Sequence, residues 1–300
     1  MAPNQPYDEA QLGICILIIA LWEIIANQAQ PHPVIGLVKI KETSRNRRWR
    51  RKVQKEGRLS RPLARITRWA GDHPPLSWLL NGVARQPKYN AVFELCYGTE
   101  NLFNYGRGYQ IPASIPSQHH RAIVMFRACD SSNWVMKPLL ANLLQALDPE
   151  FDVQWLCVVP IPRIQYQRPG CEPPIGHSVL LITAPSGTKT VLDLTGEQFG
   201  FDPQDRICSL DHYLRNYVAD TSEWSSAHYT CNIGTLEQYF DNSMGGIIFW
   251  QRAHNLVEGL FGKWRSEVDS GRLEDTDSNR EAYMNRAVDQ EMAWFRKASS

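Results

Sequence analysis

The sequence lacks the cysteine patterns that would identify a metal site or a disulfide scaffold. Its 300 residues contain seven cysteines, none in a Cys-x-x-Cys pair, and no Cys/His cluster has the spacing of zinc ligands. The odd number of cysteines and the length of the chain argue against a small disulfide-stapled secreted fold. We therefore predict a reducing, cytoplasmic location in which most thiols fill the core, with no metal ion and no cofactor.

The sequence also lacks an uninterrupted apolar run long enough to cross a bilayer. The stretch LGICILIIALWEIIA, residues 12–26, contains Glu23 and falls short of the roughly 20 apolar residues that a membrane span needs. Asp8 and Glu9 precede it, where a signal peptide carries Lys or Arg. The run therefore predicts a buried helix. The alternative is a membrane anchor whose carboxyl side faces the cytosol, because basic residues follow it.

A strong excess of either charge is absent overall, but the charges are unevenly distributed. Residues 39–68 contain 13 Lys and Arg against two acidic residues, which leaves 19 basic and 29 acidic residues elsewhere. A basic stretch of this kind is typical of a solvated helix, here with Trp49 and Trp69 packing on the protein. The alternative is a contact with nucleic acid or an acidic membrane, although no nucleic-acid-binding motif accompanies it.

Internal repeats and low-complexity tracts are absent, and the composition of 43% hydrophobic and 21% charged residues is typical of a globular protein. Pro74 and Pro75 follow the basic segment and mark a boundary. We predict an N-terminal extension over residues 1–75, formed by the apolar helix and the basic segment, and one domain over residues 76–300. That domain ends in a mostly polar helix, from about Ser278 to Lys297, which packs through a minor apolar side.

The centre of the chain predicts a long buried helix just after Cys129. Leucines at a helical spacing form an apolar stripe, at positions 139, 140, 143, 144 and 147. Ser131 or Ser132 would cap the helix, and a cysteine at a helix start favours the thiolate. Asp130 acts in the other direction and raises the thiol pKa. If Pro138 is the first helical residue, Cys129 instead lies in a loop.

A β-hairpin with two ionisable residues follows, in GHSVLLITAPSGTKTVLDLTGEQFGF, residues 176–201. His177 precedes an apolar run, Pro185-Ser186-Gly187 supplies the turn, and Asp193 lies on the second strand. A half-buried hairpin does not need an ionisable pair, so we predict that Asp193 orients His177. The alternatives are that His177 binds a buried carbonyl and that Asp193 caps the turn after it, where Gln198 and Phe199 have a structural role.

The order Cys129, His177, Asp193 resembles the papain-like and transglutaminase-like cysteine enzymes. The segments RAC, GHSVLLI and VLDLTG match their three elements: a cysteine that begins a buried helix, a histidine that begins a strand and an aspartate on the next strand. Asp193-Leu194-Thr195 is similar to the transglutaminase-like pattern in particular, and VLDLTGEQFGF resembles a stretch of uncharacterised fungal proteins. The resemblance covers residues 120–205. It implies an α+β fold with a central helix packed on a mostly antiparallel sheet.

The same resemblance implies thiol-dependent acyl chemistry on an amide or ester of a peptide, a protein or a small molecule. Cys129 would attack the carbonyl carbon, His177 would accept the thiol proton, and Asp193 would hold the imidazole. Water as acceptor gives a peptidase, amidase or deamidase, and an amine gives an acyltransferase. Gln118 is the nearest candidate for an oxyanion donor, with the backbone N–H of Cys129 as the alternative.

Other interpretations of these residues stay open at the level of sequence. Cys96 is a rival nucleophile, because it also opens a polar-to-helical stretch. His119 and His120 would point to opposite faces of a strand, which argues against a shared metal ion. The protein as a whole could instead be a catalytically inactive relative that serves as a binding or scaffold protein, or an acidic protein tethered through residues 39–68.

Overall fold

The structure is a computed structural model that describes residues 8–29, 34–40, 91–97, 111–167, 176–220 and 244–298. Trp49, Trp69, the boundary at Pro74-Pro75 and nearly all of the basic segment lie outside the described residues, so the predictions made for them stay predictions. The described α-helices are α1 (Glu9–Ala26), α2 (His120–Val124), α3 (Cys129–Leu147), α4 (Leu210–Tyr217), α5 (Met244–Asp269) and α6 (Asp277–Ala298). The described strands are β1 (Val34–Ile40), β2 (Ala91–Tyr97), β3 (Asp152–Pro160), β4 (Ile164–Gln167), β5 (His177–Thr183), β6 (Lys189–Leu192), β7 (Ile207–Ser209) and β8 (Val218–Asp220).

These elements form two sheets, and the predicted α+β class is confirmed. The larger sheet has the order β7-β6-β5-β3-β8, and all its neighbouring strands are antiparallel. The smaller sheet has the order β1-β2-β4, with an antiparallel and a parallel pairing. Helix α3 packs on one face of the larger sheet against β3 and β5. The other face is covered by a second apolar cluster around Phe199, Phe201, Tyr213 and Tyr217.

Helix α3 begins at Cys129 and buries the predicted leucine stripe except for its last member, Leu147, whose exposed fraction is 43%. Leu139, Leu140, Leu143 and Leu144 are buried, so burial of an apolar face drives helix formation here. The predicted serine cap is wrong, because the N-cap is Ala128 and has no side-chain hydrogen bond. Ser132 lies inside the first turn, where its hydroxyl donates to the carbonyl of Cys129 at 2.8 Å.

Pro138 lies within α3 and is not its first residue. A proline has no N–H, so the carbonyl of Trp134, four residues earlier, loses its normal helical donor. His254 of α5 replaces that donor, because its Nδ1 lies 3.0 Å from the Trp134 carbonyl oxygen. The two rings also stack, with centroids 4.3 Å apart and planes 1° from parallel. Helix α5 thus stabilises the point at which Pro138 would otherwise weaken the central helix.

This arrangement predicts coupling between Pro138 and His254. We expect His254→Ala to lower the free energy of unfolding by about 1–3 kcal/mol, because it removes the ring N–H that is a partner of the Trp134 carbonyl. In a Pro138→Ala background the new N–H supplies that partner, so the same substitution should cost at least about 1 kcal/mol less. Urea unfolding of the four proteins measures the difference. An equal cost in both backgrounds would mean that only the ring stacking matters.

Helix α1 lies in the main core, as predicted for a buried helix. Ile18, Leu21 and Trp22 have no exposed surface, and Trp22 stacks on Trp250 of α5 with ring centroids 6.1 Å apart. By length and composition α1 is the one described helix that could cross a membrane, and half of its apolar window is buried. Of the predicted extension, α1 packs in the same core as α3, α5 and α6, whereas β1 pairs in the smaller sheet.

Candidate active site

The hairpin β5–β6 positions the two ionisable residues at the same end of the sheet. Its register pairs Leu180 with Leu192, and Gly187 makes the turn with a φ of 80°, a conformation that favours glycine. His177 is the first residue of β5 and Asp193 follows the last residue of β6. Strand alternation places both side chains on the sheet face that carries the second apolar cluster.

The structure brings His177 and Asp193 together, as the sequence predicts. Nε2 of His177 lies 2.9 Å from Oδ2 of Asp193, and the exposed fractions of the side chains are 0% and 3%. Two further groups hold the carboxylate: the Tyr213 hydroxyl donates to Oδ2 at 2.7 Å and the Thr195 N–H donates to Oδ1 at 3.0 Å. A Cβ atom on Gly196 would lie 2.5 Å from Oδ2, so only glycine fits beside this carboxylate.

These contacts keep Asp193 ionised in spite of its burial. Burial by itself raises the pKa of the carboxyl group, but His177, the Tyr213 hydroxyl and the Thr195 N–H together lower it below its ordinary value. Burial and the nearby Asp193 carboxylate also raise the pKa of the Tyr213 hydroxyl well above its ordinary value, so it remains a donor. Tyr213 comes from α4, and the sequence offered no local pattern to identify it.

The second nitrogen of the imidazole is free. Nδ1 of His177 is buried and has no hydrogen-bond partner in the described part of the chain. The ring packs against Phe199 and Phe201, with centroids 4.8 Å and 6.0 Å away. Because Asp193 binds Nε2 as an acceptor, Nε2 carries a hydrogen and Nδ1 is the nitrogen available to accept a proton.

Cys129 lies beside the start of β5. The Ser178 hydroxyl donates to the carboxylate of Asp130, the residue after Cys129, and lies 3.4 Å from the sulfur of Cys157. These contacts dock the first turn of α3 onto the residue that follows His177. The sulfur of Cys129 makes no hydrogen bond to His177 within the ranges the structure describes. Since the Ser178 side chain faces α3, the thiol and the imidazole approach β5 from opposite faces of the sheet.

Of the two opposing effects weighed for Cys129, the one that raises the thiol pKa is the larger in the structure. Burial and the neighbouring Asp130 carboxylate raise the thiol pKa, and the backbone N–H groups of Ser178 and Asp130 lower it only in part. The net pKa lies well above the ordinary value, so the thiol is protonated at neutral pH. The loss of solvent around the sulfur therefore outweighs the helix dipole.

Cys96 and Gln118 do not join this site. Cys96 lies inside β2, in the smaller sheet, and its side chain lies beside Gly36 of β1. Cys96 itself is a strand residue, and the stretch that it was predicted to open lies outside the described residues. Gln118 is exposed, and its amide nitrogen lies 3.3 Å from Nε2 of His119.

The histidine pair lies in helical turns, and the predicted strand is absent at these residues. His119 ends the 3-10 helix Ser117–His119 and His120 begins α2. Nδ1 of His119 lies 2.7 Å from the Tyr166 hydroxyl, and Nε2 of His120 lies 2.7 Å from the Ile115 carbonyl oxygen. In the part of the chain that the structure describes, no group of three His, Cys, Asp or Glu side chains could hold a metal ion.

An ion-pair network supports the turn that follows Asp193. Arg206 lies 2.6 Å from the buried Glu197 carboxylate and 2.8 Å from that of Glu23 in α1. Arg121 of α2 contacts the same two carboxylates, at 3.2 Å and 2.6 Å. The network joins the 3-10 helix Gly196–Phe199 to α1 and α2, and none of its long-range pairs could be found from local sequence.

Gln198 of that 3-10 helix reaches the backbone just before Cys129. Its Oε1 accepts a hydrogen bond from the N–H of Arg127 at 2.9 Å, and its Nε2 is buried without a partner in the described ranges. Arg127 has a φ of 61° and is the one non-glycine residue with positive φ among those described. The sequence predicted that Gln198 stabilises its own turn. Its side chain also binds the backbone just before α3.

Comparison of the chain with protein-family models, with curated proteins and with solved structures finds no match.

Proposed function

We propose that this protein is a thiol-dependent enzyme that transfers or hydrolyses the acyl group of an amide or ester, on a papain/transglutaminase-like core. One observation carries the proposal: the buried His177–Asp193 pair leaves the imidazole Nδ1 without a partner among the described residues, and Ser178, the next residue of β5, binds the first turn of α3, which begins with Cys129. The arrangement of a central helix on an antiparallel sheet supports the same core.

In this mechanism the resting thiol is neutral, because burial and Asp130 raise its pKa. The Cys129 side chain turns toward His177 as substrate binds, and Nδ1 accepts the thiol proton as the sulfur attacks the carbonyl carbon. The Asp193 carboxylate stabilises the imidazolium that forms. The imidazolium then returns the proton to the leaving group, and water or an amine releases the acyl group from Cys129.

The second candidate function is that of a binding or scaffold protein. In this alternative, the protein is a catalytically inactive relative of the cysteine enzymes. The exposed fraction of the His177 side chain is 0%, and its ring lies on the opposite sheet face from Cys129. The protonated thiol favours the same interpretation. In this alternative, the His177–Asp193 pair stabilises the sheet and has no substrate.

Acylation by p-nitrophenyl acetate separates the two functions. We expect the ester to acetylate Cys129, and His177→Ala to slow this reaction by about 10²-fold or more, because the general base is lost. His212→Ala is a matched control, since Nε2 of His212 lies 2.9 Å from Asp205 in a second histidine–aspartate pair. Acetylation of Cys129 at equal rates in the wild type and in His177→Ala would favour the inactive relative.

A further inference from the structure

A second cysteine reaches the residue that docks Cys129. Cys157 of β3 lies opposite Ser178 of β5 in the register of the larger sheet, and its sulfur is 3.4 Å from the Ser178 hydroxyl oxygen. The backbone N–H of Ser178 binds the sulfur of Cys129, and the Ser178 hydroxyl donates to the carboxylate of Asp130. Two thiols from different elements of the fold therefore contact the same residue.

Both thiols lie in the layer between α3 and the larger sheet. Val153 and Trp155 of β3 belong to the main core together with α3, and strand alternation makes Cys157 the next side chain on that face. The contacts of Ser178 place Cys129, the first residue of α3, over the same end of the sheet. Cys129 and Cys157 are both partly buried and both reduced in the structure.

We propose that Cys129 and Cys157 are a redox-active pair, which hydrogen peroxide converts into a reversible disulfide. The sulfur of one thiol attacks a peroxide oxygen, the O–O bond breaks, and a sulfenic acid and one water are formed. The other sulfur then attacks the sulfenic sulfur, the S–O bond breaks, and the hydroxide leaves with the thiol proton as a second water. Two electrons and two protons thus pass from the pair of thiols to the peroxide.

The position of this pair gives the disulfide a consequence for the chemistry of Cys129. Disulfides in a reducing compartment are transient, so this one would form under oxidative stress and be reduced again by a thiol such as glutathione. While the bond exists, the sulfur of Cys129 is not available to attack a carbonyl carbon. This loss of acylation rests on the proposed function, whereas formation of the disulfide does not.

Non-reducing peptide maps of the full chain test the pair. The protein is reduced with dithiothreitol, separated from it and treated with hydrogen peroxide. Trypsin and a glutamate-specific protease then yield peptides 128–150 and 151–163, because Glu150 lies between the two cysteines. We expect these peptides to be joined, at a mass lower than their sum by two hydrogen atoms, and to separate after dithiothreitol. Oxidation should slow alkylation of Cys129 by iodoacetamide by about tenfold or more.

Two variants at partly buried cysteines form a matched pair for this test. Cys157→Ser should abolish the joined peptides, whereas Cys96→Ser, in β2 of the smaller sheet, should leave their yield unchanged. If Cys157→Ser does not fold, Cys157→Ala is measured in its place.

Other outcomes overturn the inference or separate it from the proposed function. A sulfenic, sulfinic or sulfonic acid on Cys129 without joined peptides would overturn the pair, and so would a disulfide from Cys129 to a different cysteine. Joined peptides in a protein that p-nitrophenyl acetate never acetylates at Cys129 would support the redox pair and reject the proposed enzyme. Acetylation of Cys129 without any joined peptides after peroxide would support the enzyme and reject the pair.

Discussion

Replacement of Cys129 by alanine is expected to abolish acetylation of the protein by p-nitrophenyl acetate at neutral pH. Cys129 lies at the start of α3, and the contact between Ser178 and Asp130 holds that helix end next to His177. The expected loss is complete, since the reacting atom itself is removed.

Two other cysteines provide controls for this prediction. Cys157→Ala removes a thiol that also lies near Ser178, at 3.4 Å from its hydroxyl, and Cys96→Ala removes the rival nucleophile of β2. Both proteins should react like the wild type, with the acetyl group on Cys129 in peptide maps. Labelling that disappears only in Cys96→Ala would support an enzyme whose nucleophile is Cys96 and not Cys129. Labelling that persists in Cys129→Ala would remove Cys129 from the mechanism.

Replacement of Asp193 by alanine should cause the largest loss of stability. The substitution leaves the His177 ring, the Tyr213 hydroxyl and the Thr195 N–H without their shared buried acceptor. We expect a fall of about 3–5 kcal/mol in the free energy of unfolding, as for other buried charged partners. Asp193→Asn retains one oxygen for His177 and Tyr213 and should remain folded. The exposed Asp211 supplies the control variant, Asp211→Ala, with a change below about 0.5 kcal/mol.

The effect of Asp193→Ala should depend on pH in a defined direction. The pKa of Asp193 is lower in the folded protein than its ordinary value, so the ionised carboxylate stabilises the fold above the unfolded value of about 4. That stability is lost as the pH falls through the lower, folded-state pKa. Urea unfolding should therefore show a large difference between wild type and Asp193→Ala at about pH 7, and a smaller one at about pH 3. A difference that is small at both values would mean that Asp193 is a minor turn residue.

Features that depend on local periodicity could be predicted from the sequence. The leucine stripe of α3, the hairpin around Gly187 and the buried α1 each follow from apolar spacing and turn chemistry over fewer than twenty residues. Helix α5 had a similar signal that the sequence interpretation did not use. Its buried residues recur at helical spacing, at Phe249, Ala253, Val257, Leu260 and Trp264.

Features that depend on tertiary contacts could not be predicted. The helix continues through Pro138 because His254, far along the chain, binds the Trp134 carbonyl in place of the N–H that a proline lacks. The pKa of Cys129 rises because the fold removes solvent from the sulfur, an effect stronger than the helix dipole visible in the sequence. Tyr213 and Gln198 reach the site from elements whose local sequence contains no motif for either role.

The central claim is that the His177 imidazole is the base that accepts the proton of the Cys129 thiol when the sulfur attacks the substrate. The most direct test is the distance from the Cys129 sulfur to Nδ1 of His177 in a crystal structure of the protein alkylated at Cys129 by iodoacetamide. We predict that the modified sulfur turns from Ser178 toward the ring and lies within about 4 Å of Nδ1. A modified sulfur that remains on the α3 face of β5, with the imidazole still enclosed by Phe199 and Phe201, would contradict the claim.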